Sequence, residues 1–264
     1  CDLDALKALA DRRGLVLSAL NCSGNPLDPH PERRQRAQQV LSDTLQAASQ
    51  LGIHTVVTMS GCPGDLGGGT YPNWVTCTWQ REYVELVERQ WAEEIEPYWR
   101  QVGDRARGLG VRIAIEMHPG QAVYNTRTLR RLREIGGADV IGANLDPSHL
   151  FFQGMEPSVV IRALGQGAVF HVHAKDTRID SQEMALNGGL DTRPMTRVGV
   201  RSWEYVTLGF GHDELFWRNF VSNLRVVGYD GALSIEHEDR LMSPKEGIQK
   251  SVEFLRGLIP RTMA

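Results

Sequence analysis

Four short segments of the chain end on side chains that bind hard cations. Residues 112–118 read Arg-Ile-Ala-Ile-Glu-Met-His. A period of two puts Ile113, Ile115 and Met117 on one face and Ala114, Glu116 and His118 on the other. Residues 141–149 read Ile-Gly-Ala-Asn-Leu-Asp-Pro-Ser-His, so Asn144 and Asp146 share the face opposite Ala143 and Leu145. In residues 170–176, His171, His173 and Lys175 alternate against Phe170, Val172 and Ala174. Residues 232–239 set Ser234, Glu236 and Glu238 against Leu233 and Ile235. Each apolar face suits a covering of helices, which turns the polar face inward.

Several inward carboxylates in one poorly solvated place repel one another and resist desolvation. A bound cation removes that conflict. Glu116, Asp146, His173 and Glu236 form a hard, oxygen-rich donor set suited to one divalent ion, Mn²⁺ first, with Mg²⁺, Co²⁺ and Zn²⁺ also compatible. Taken singly, Glu116 or Glu236 reads equally well as a carboxylate paired with an interior arginine. Four in matching positions carry the argument. His173 is preferred to His171 because it stands nearer the strand tip, and His171 reads as a hydrogen-bonded interior residue. Lys175 either neutralises the carboxylates or binds a substrate oxygen. His237 shares a face with Ile235 and reads as structural.

These tips need elements to hold them. Short β-branched or apolar runs alternate with longer amphipathic stretches, the pattern of βα units around a parallel sheet. Six such runs stand out: residues 15–21, 55–60, 112–118, 140–146, 169–175 and 232–238. In a parallel barrel the C-terminal strand ends carry the site, which is where the four ligands fall. A helical pattern (Leu3, Leu6, Leu9) opens the chain. After Pro29 and Pro31 a helix places Ala37, Val40, Leu41, Thr44, Ala48 and Leu51 on one face and stops at Gly52. A longer helix covers 81–109, where Pro97 should kink or divide it. Shorter ones are expected at 126–135, 157–164, 213–227 and 244–258.

Two segments break the alternation. Residues 61–79 hold five glycines, two prolines and two tryptophans, suggesting a lid or binding loop in which Trp74 and Trp79 stack on a sugar ring or form a loop core. Residues 176–211 are polar and lead to a turn and helix cap at 209–213.

The motifs IEMHPG, NLDPSH, HVHAKD and SIEHED, in this order, resemble the sugar phosphate isomerase/epimerase superfamily, the xylose isomerase-like barrels that include ketose 3-epimerases and inosose dehydratases. The resemblance runs from about residue 15 to 258. It implies a (β/α)8 TIM barrel as a single domain over 1–264. It also implies one divalent metal on Glu116, Asp146, His173 and Glu236, and substrate contact through His149. Arg178 is the nearest match to an arginine that touches substrate in the epimerases, at a spacing about one residue different. The family barrel has eight strands and six are marked here, so the first two are expected to precede Cys1 in a longer protein.

The chain has 264 residues, 41% hydrophobic and 23% charged, with a formal charge of −3. Its acidic balance gives no pull toward nucleic acid or anionic membrane, and argues against a metal-dependent endonuclease with a phosphate-tracking groove. No apolar run reaches the length of a membrane span. A cytoplasmic protein with a small sugar or polyol substrate, and a homo-oligomer by resemblance, is expected. Four dispersed cysteines form no CxxC pair and read as unpaired thiols.

With such a site, Glu116 and Glu236 are the expected catalytic bases, moving a proton next to a carbonyl through an enediolate. His149, His118, Lys175 and Arg178 are the expected substrate contacts. Epimerisation or aldose–ketose isomerisation is the leading reading. Loss of a β-hydroxyl from the same enediolate, a lyase reaction on a keto-sugar or cyclitol, is the rival. A non-catalytic sugar-binding module would be marked by loss of a ligand, and all four are present.

Overall fold

The computed structural model describes residues 2–65 and 67–260, and the chain falls into two compact units, residues 1–144 and 145–264. The first opens with α1 (Leu3–Arg12), capped by Asp2, whose carboxylate accepts from the Ala5 amide at 3.0 Å. Then come β1 (Leu20–Cys22), α2 (Pro31–Leu51), β2 (Thr55–Met59) and α3 (Arg81–Arg89). A π-helical turn, Gln90–Ile95, leads into α4 (Glu96–Gly108), followed by β3 (Arg112–Glu116), α5 (Thr126–Gly136) and β4 (Ile141–Leu145).

Strands β1 to β4 pair in chain order and in parallel, with Val57 opposite Ala114 and Glu116 opposite Asn144. Ile113, Ala114 and Ile115 are all buried, as a strand covered on both faces requires. The strand expected over 15–21 is reduced to Leu20–Cys22. The reason is local: Gly14 takes a left-handed φ of 62° and the Leu15 amide donates to Ala10 O, so these residues close α1. Leu15 and Val16 are exposed. In α2 the buried face is Leu41, Leu45, Ala48 and Leu51, with Val40 turned to solvent. Leu45 continues the i, i+4 spacing from Leu41, which Val40 does not.

The expected break in the long helix occurs, and its device is the π-turn. Proline at position 97 removes a donor and crowds the preceding turn, and a wide turn just before it accommodates both. Beyond it, α4 packs tightly on α5. A methyl group on Gly103 would stand 2.1 Å from the carbonyl oxygen of Gly136.

The second unit contains α6 (Ser148–Phe151), α7 (Pro157–Leu164), β5 (Val169–Ala174), β6 (Asp176–Ile179), α8 (Ser181–Asn187), β7 (Trp203–Val206), α9 (Glu214–Val226), β8 (Leu233–Ile235) and α10 (Pro244–Arg256). Strands β5 and β8 pair in parallel, with His173 opposite Ser234. Strands β6 and β7 form an antiparallel ribbon inside a stretch read as irregular. Its side chains build their own core: Phe152 stacks on Trp203 at 3.8 Å, and Tyr205 packs beside them. The expected cap before α9 is Asp213, which accepts from the Phe216 amide.

No helix among the described residues is long and apolar enough to cross a membrane. Cys22, Cys62 and Cys77 are free thiols, as expected, and Cys1 lies outside the described residues.

Candidate metal centre

In the first unit β3 delivers Glu116 at its last residue, and the side chain is buried. Its Oε2 accepts from Asn144 Nδ2 at 3.0 Å, directly across the strand pair. His118 lies just beyond the strand, half-buried, with Nδ1 2.5 Å from Pro119 O. The 61–79 loop is tied at its base. Asn73 N donates to Pro63 O at 2.8 Å, and buried Gln90 donates from Nε2 to Gly64 O and Asn73 O, both at 2.9 Å. Trp74 meets Tyr124 edge-on, whereas Trp79 is exposed.

In the second unit Asp146 follows the end of β4. Its Oδ1 accepts from the Ser148 amide at 2.8 Å, which turns the chain into α6 and holds Oδ2 aside for other work. His173 stands in β5. Glu236 follows β8, and its amide donates to Ala174 O at 3.2 Å, so the β5–β8 ladder itself sets the carboxylate beside the imidazole. His173 Nδ1 and Glu236 Oε2 are 3.0 Å apart. Ligand atoms of Asp146, His173 and Glu236 all lie within 4.8 Å of one another.

Lys175 answers the charge of these groups. Its Nζ is 2.8 Å from Glu238 Oε1 and 3.5 Å from Glu236 Oε1, with the side chain almost wholly buried. Burial alone pushes an ammonium toward neutrality, but the carboxylates of Asp146, Glu236 and Glu238 outweigh it and raise the Lys175 pKa. For Glu236, burial pushes the carboxyl up, while the hydrogen bond with His173 and the charge of Lys175 bring it down to about 2. The pair is therefore charged at neutral pH.

The second unit thus brings Asp146, His173, Glu236, Lys175 and His149 together. His149, on α6, sits with Nε2 3.4 Å from Asp146 Oδ2 and Nδ1 2.9 Å from Tyr205 Oη. His171 meets Ser234 Oγ at 2.9 Å, and its pKa is lowered to about 4, chiefly by burial and then by His173. It is the interior residue expected. Arg178 lies on the exposed side of β6 and is held by Glu204 Oε2 of β7 at 2.5 Å. His237 packs against Gly247 of α10.

Two residues here were not anticipated. Tyr205 carries a signal, since Trp203 and Tyr205 alternate with polar residues in a short aromatic run. Asp176 is fully buried and accepts the amides of Thr177, Gly209, Gly211 and His212, pinning the turn before α9. Nothing in the local pattern marks that.

A family model described as xylose isomerase-like TIM barrel matches residues 1–258. The uncharacterised protein YfiH of Bacillus subtilis (strain 168) is 41% identical over 252 residues, covering 94% of this chain and 80% of that protein. An inosose dehydratase of Lacticaseibacillus casei is 27% identical over 153 residues, 58% of this chain and 49% of the dehydratase, so that match spans about half of the relative. Among solved structures, the IOLI protein with a bound zinc atom superimposes with a TM-score of 0.69 at 17% identity, covering 100% of this chain and 84% of the other, a likeness of fold.

Proposed function

The chain belongs to the xylose isomerase-like TIM-barrel family, and from that premise we propose that it is a divalent-metal-dependent isomerase or epimerase of a small sugar or polyol. The observation that carries the reading is the convergence of Asp146, His173 and Glu236 donors within 4.8 Å. Glu116, at the corresponding tip of β3, is the proposed fourth ligand. The donor set fits the group: carboxylate oxygens with one imidazole suit a hard or borderline divalent ion, Mn²⁺ first among Mn²⁺, Mg²⁺, Co²⁺ and Zn²⁺. Such a cation would supply Lewis-acid chemistry, drawing charge from a carbonyl and neighbouring hydroxyl and acidifying the C–H between them.

The protein's own residues then move the proton. Glu236, ionised beside His173 and Lys175, accepts it from the carbon next to the carbonyl, and Glu116 returns one from the other face, which inverts that centre. One base serving two adjacent carbons gives aldose–ketose isomerisation instead. His149, His118, Lys175 and Arg178 hold the substrate oxygens in this reading.

A second reading is favoured by the inosose dehydratase relative: the same proton removal followed by loss of a β-hydroxyl as water. One experiment tests both. Metal content is measured for the wild type and Glu236→Gln, and ketoses, aldoses and cyclitols are incubated in D₂O with product NMR. Near-stoichiometric metal, with deuterium entering beside a carbonyl only in the wild type, supports the proposal. An epimer or isomer favours the first reading, a dehydrated ketone the second. A folded wild type that takes up no divalent ion overturns both.

A further inference from the structure

We propose that Tyr205 is a positioning residue: its hydroxyl donates to His149 Nδ1 and so fixes His149 as a neutral imidazole with its proton on Nε2. Its catalytic consequence rests on the function proposed above, whereas the tautomer itself does not.

The argument starts from Asp146. Its Oδ2 stands 3.4 Å from His149 Nε2, while Oδ1 is already engaged by the Ser148 amide. A carboxylate oxygen only accepts. A bare imidazole lone pair aimed at it would be repelled, so the proton belongs on Nε2. Nδ1 is then an acceptor, and the partner facing it, Tyr205 Oη at 2.9 Å, must donate. The ring contact agrees, since His149 and Tyr205 meet edge-on at an interplanar angle of 85° with centroids 5.6 Å apart.

Lys175 strengthens this sense of donation. Its Nζ lies over the Tyr205 ring, 4.1 Å from the centroid. A cation on the π face draws electron density from the phenol, making its O–H a better donor and its oxygen a poorer acceptor.

The fold holds all three rigidly. Tyr205 is in register opposite Thr177 in the ribbon, and Thr177 Oγ1 donates to Ser148 O, so the ribbon is tied to the helix that carries His149. Tyr205, His149 and Asp146 are each buried. Partners of this kind set the tautomer and orientation of groups around a metal site. A His149 fixed as an Nε2–H donor presents that hydrogen toward Asp146 and to a substrate oxygen arriving beside it; the opposite tautomer would present a lone pair.

The test reads the tautomer directly. Histidine ring nitrogens are followed by ¹⁵N NMR in the metal-free protein near pH 8, with the His149 signals assigned by their loss in His149→Gln. The wild type is expected to show Nε2 protonated and Nδ1 bare, and Tyr205→Phe is expected to give a tautomer mixture. Wild-type protein with Nδ1 protonated overturns the proposal, and this measurement does not depend on the variant folding. A folded Tyr205→Phe protein with an unchanged tautomer overturns it as well. If the enzyme turns over sugar, Tyr205→Phe should lower kcat/KM by about 10–100-fold with metal affinity near that of the wild type. Failure of the metal or turnover assays alone would count against the proposed function and leave the tautomer result standing.

Discussion

Lys175 and Glu238 join the interior of the second unit to its rim. The ammonium, 2% exposed, lies 2.8 Å from a carboxylate oxygen whose side chain is 48% exposed. The lysine faces Glu236 as well, at 3.5 Å, so one buried cation answers carboxylates on both sides.

Removing it should therefore act in two ways. Lys175→Met is expected to destabilise the metal-free protein by about 3–5 kcal/mol, because it leaves buried carboxylates without their counter-charge. The same change should tighten Mn²⁺ binding, since a competing positive charge is gone. Urea unfolding and titration calorimetry measure the two effects, and an unchanged Mn²⁺ affinity would show that lysine and metal do not compete.

Acid stability should fall in two separate steps. His171 has its pKa lowered to about 4 by burial. The unfolded chain takes up its proton first, near 6.5, so this contribution is complete above that value and is lost between about 6.5 and 4. Glu236, held near 2, contributes stability that is complete above its unfolded value, near 4.5, and is lost as pH falls toward 2. Urea midpoints against pH for metal-free His171→Gln and Glu236→Gln should each lack only their own step.

Helix propensity alone would make Gly103→Ala stabilising by about 1 kcal/mol. The Gly136 carbonyl, 2.1 Å from the new methyl, reverses the sign. Because this neighbour is backbone and cannot swing away, a net loss of about 1–3 kcal/mol is expected. Thermal unfolding decides it, and a raised midpoint would refute the close α4–α5 contact.

Gln90 ties the base of the 61–79 loop through Gly64 O and Asn73 O. Gln90→Leu should cost about 1–3 kcal/mol and leave carbonyls of the loop unsatisfied. Hydrogen exchange should accelerate across 63–76 with little change in β2 or β3. Uniform acceleration would mean that the loop and the sheet open together.

Legibility in the sequence followed the range of the forces involved. Residues 112–116 and 169–174 could be read because alternation and chemistry coincide within one strand, and α7 matched at both ends because Pro157 and Gly165 punctuate it. The β6–β7 ribbon was missed because its ladder joins Asp176 to Val206, with a helix and a polar loop between them. Asp176 likewise acts on amides more than thirty positions away, and Tyr205 finds His149 across 56 residues. Residues 15–16 were misread because an apolar Leu-Val pair follows Gly14, and the needs of a helix end outweighed β propensity there.

The turn at Gln90–Ile95 also sets the angular phase of everything after it. A π-turn accommodates one residue more than the α-helical path requires, and each residue of an α-helix advances the side chains by about 100°. Gln90 can thus look toward the loop while Trp99, whose indole donates to Ser60 O, and Gly103 look toward the sheet and α5. Deleting a single residue from this turn would keep almost every local contact of a helix and yet rotate α4 by about a quarter turn, carrying Trp99 out of the core and a side chain into the space that Gly103 keeps clear. The helix behaves as two indexed segments, and the index between them is one residue.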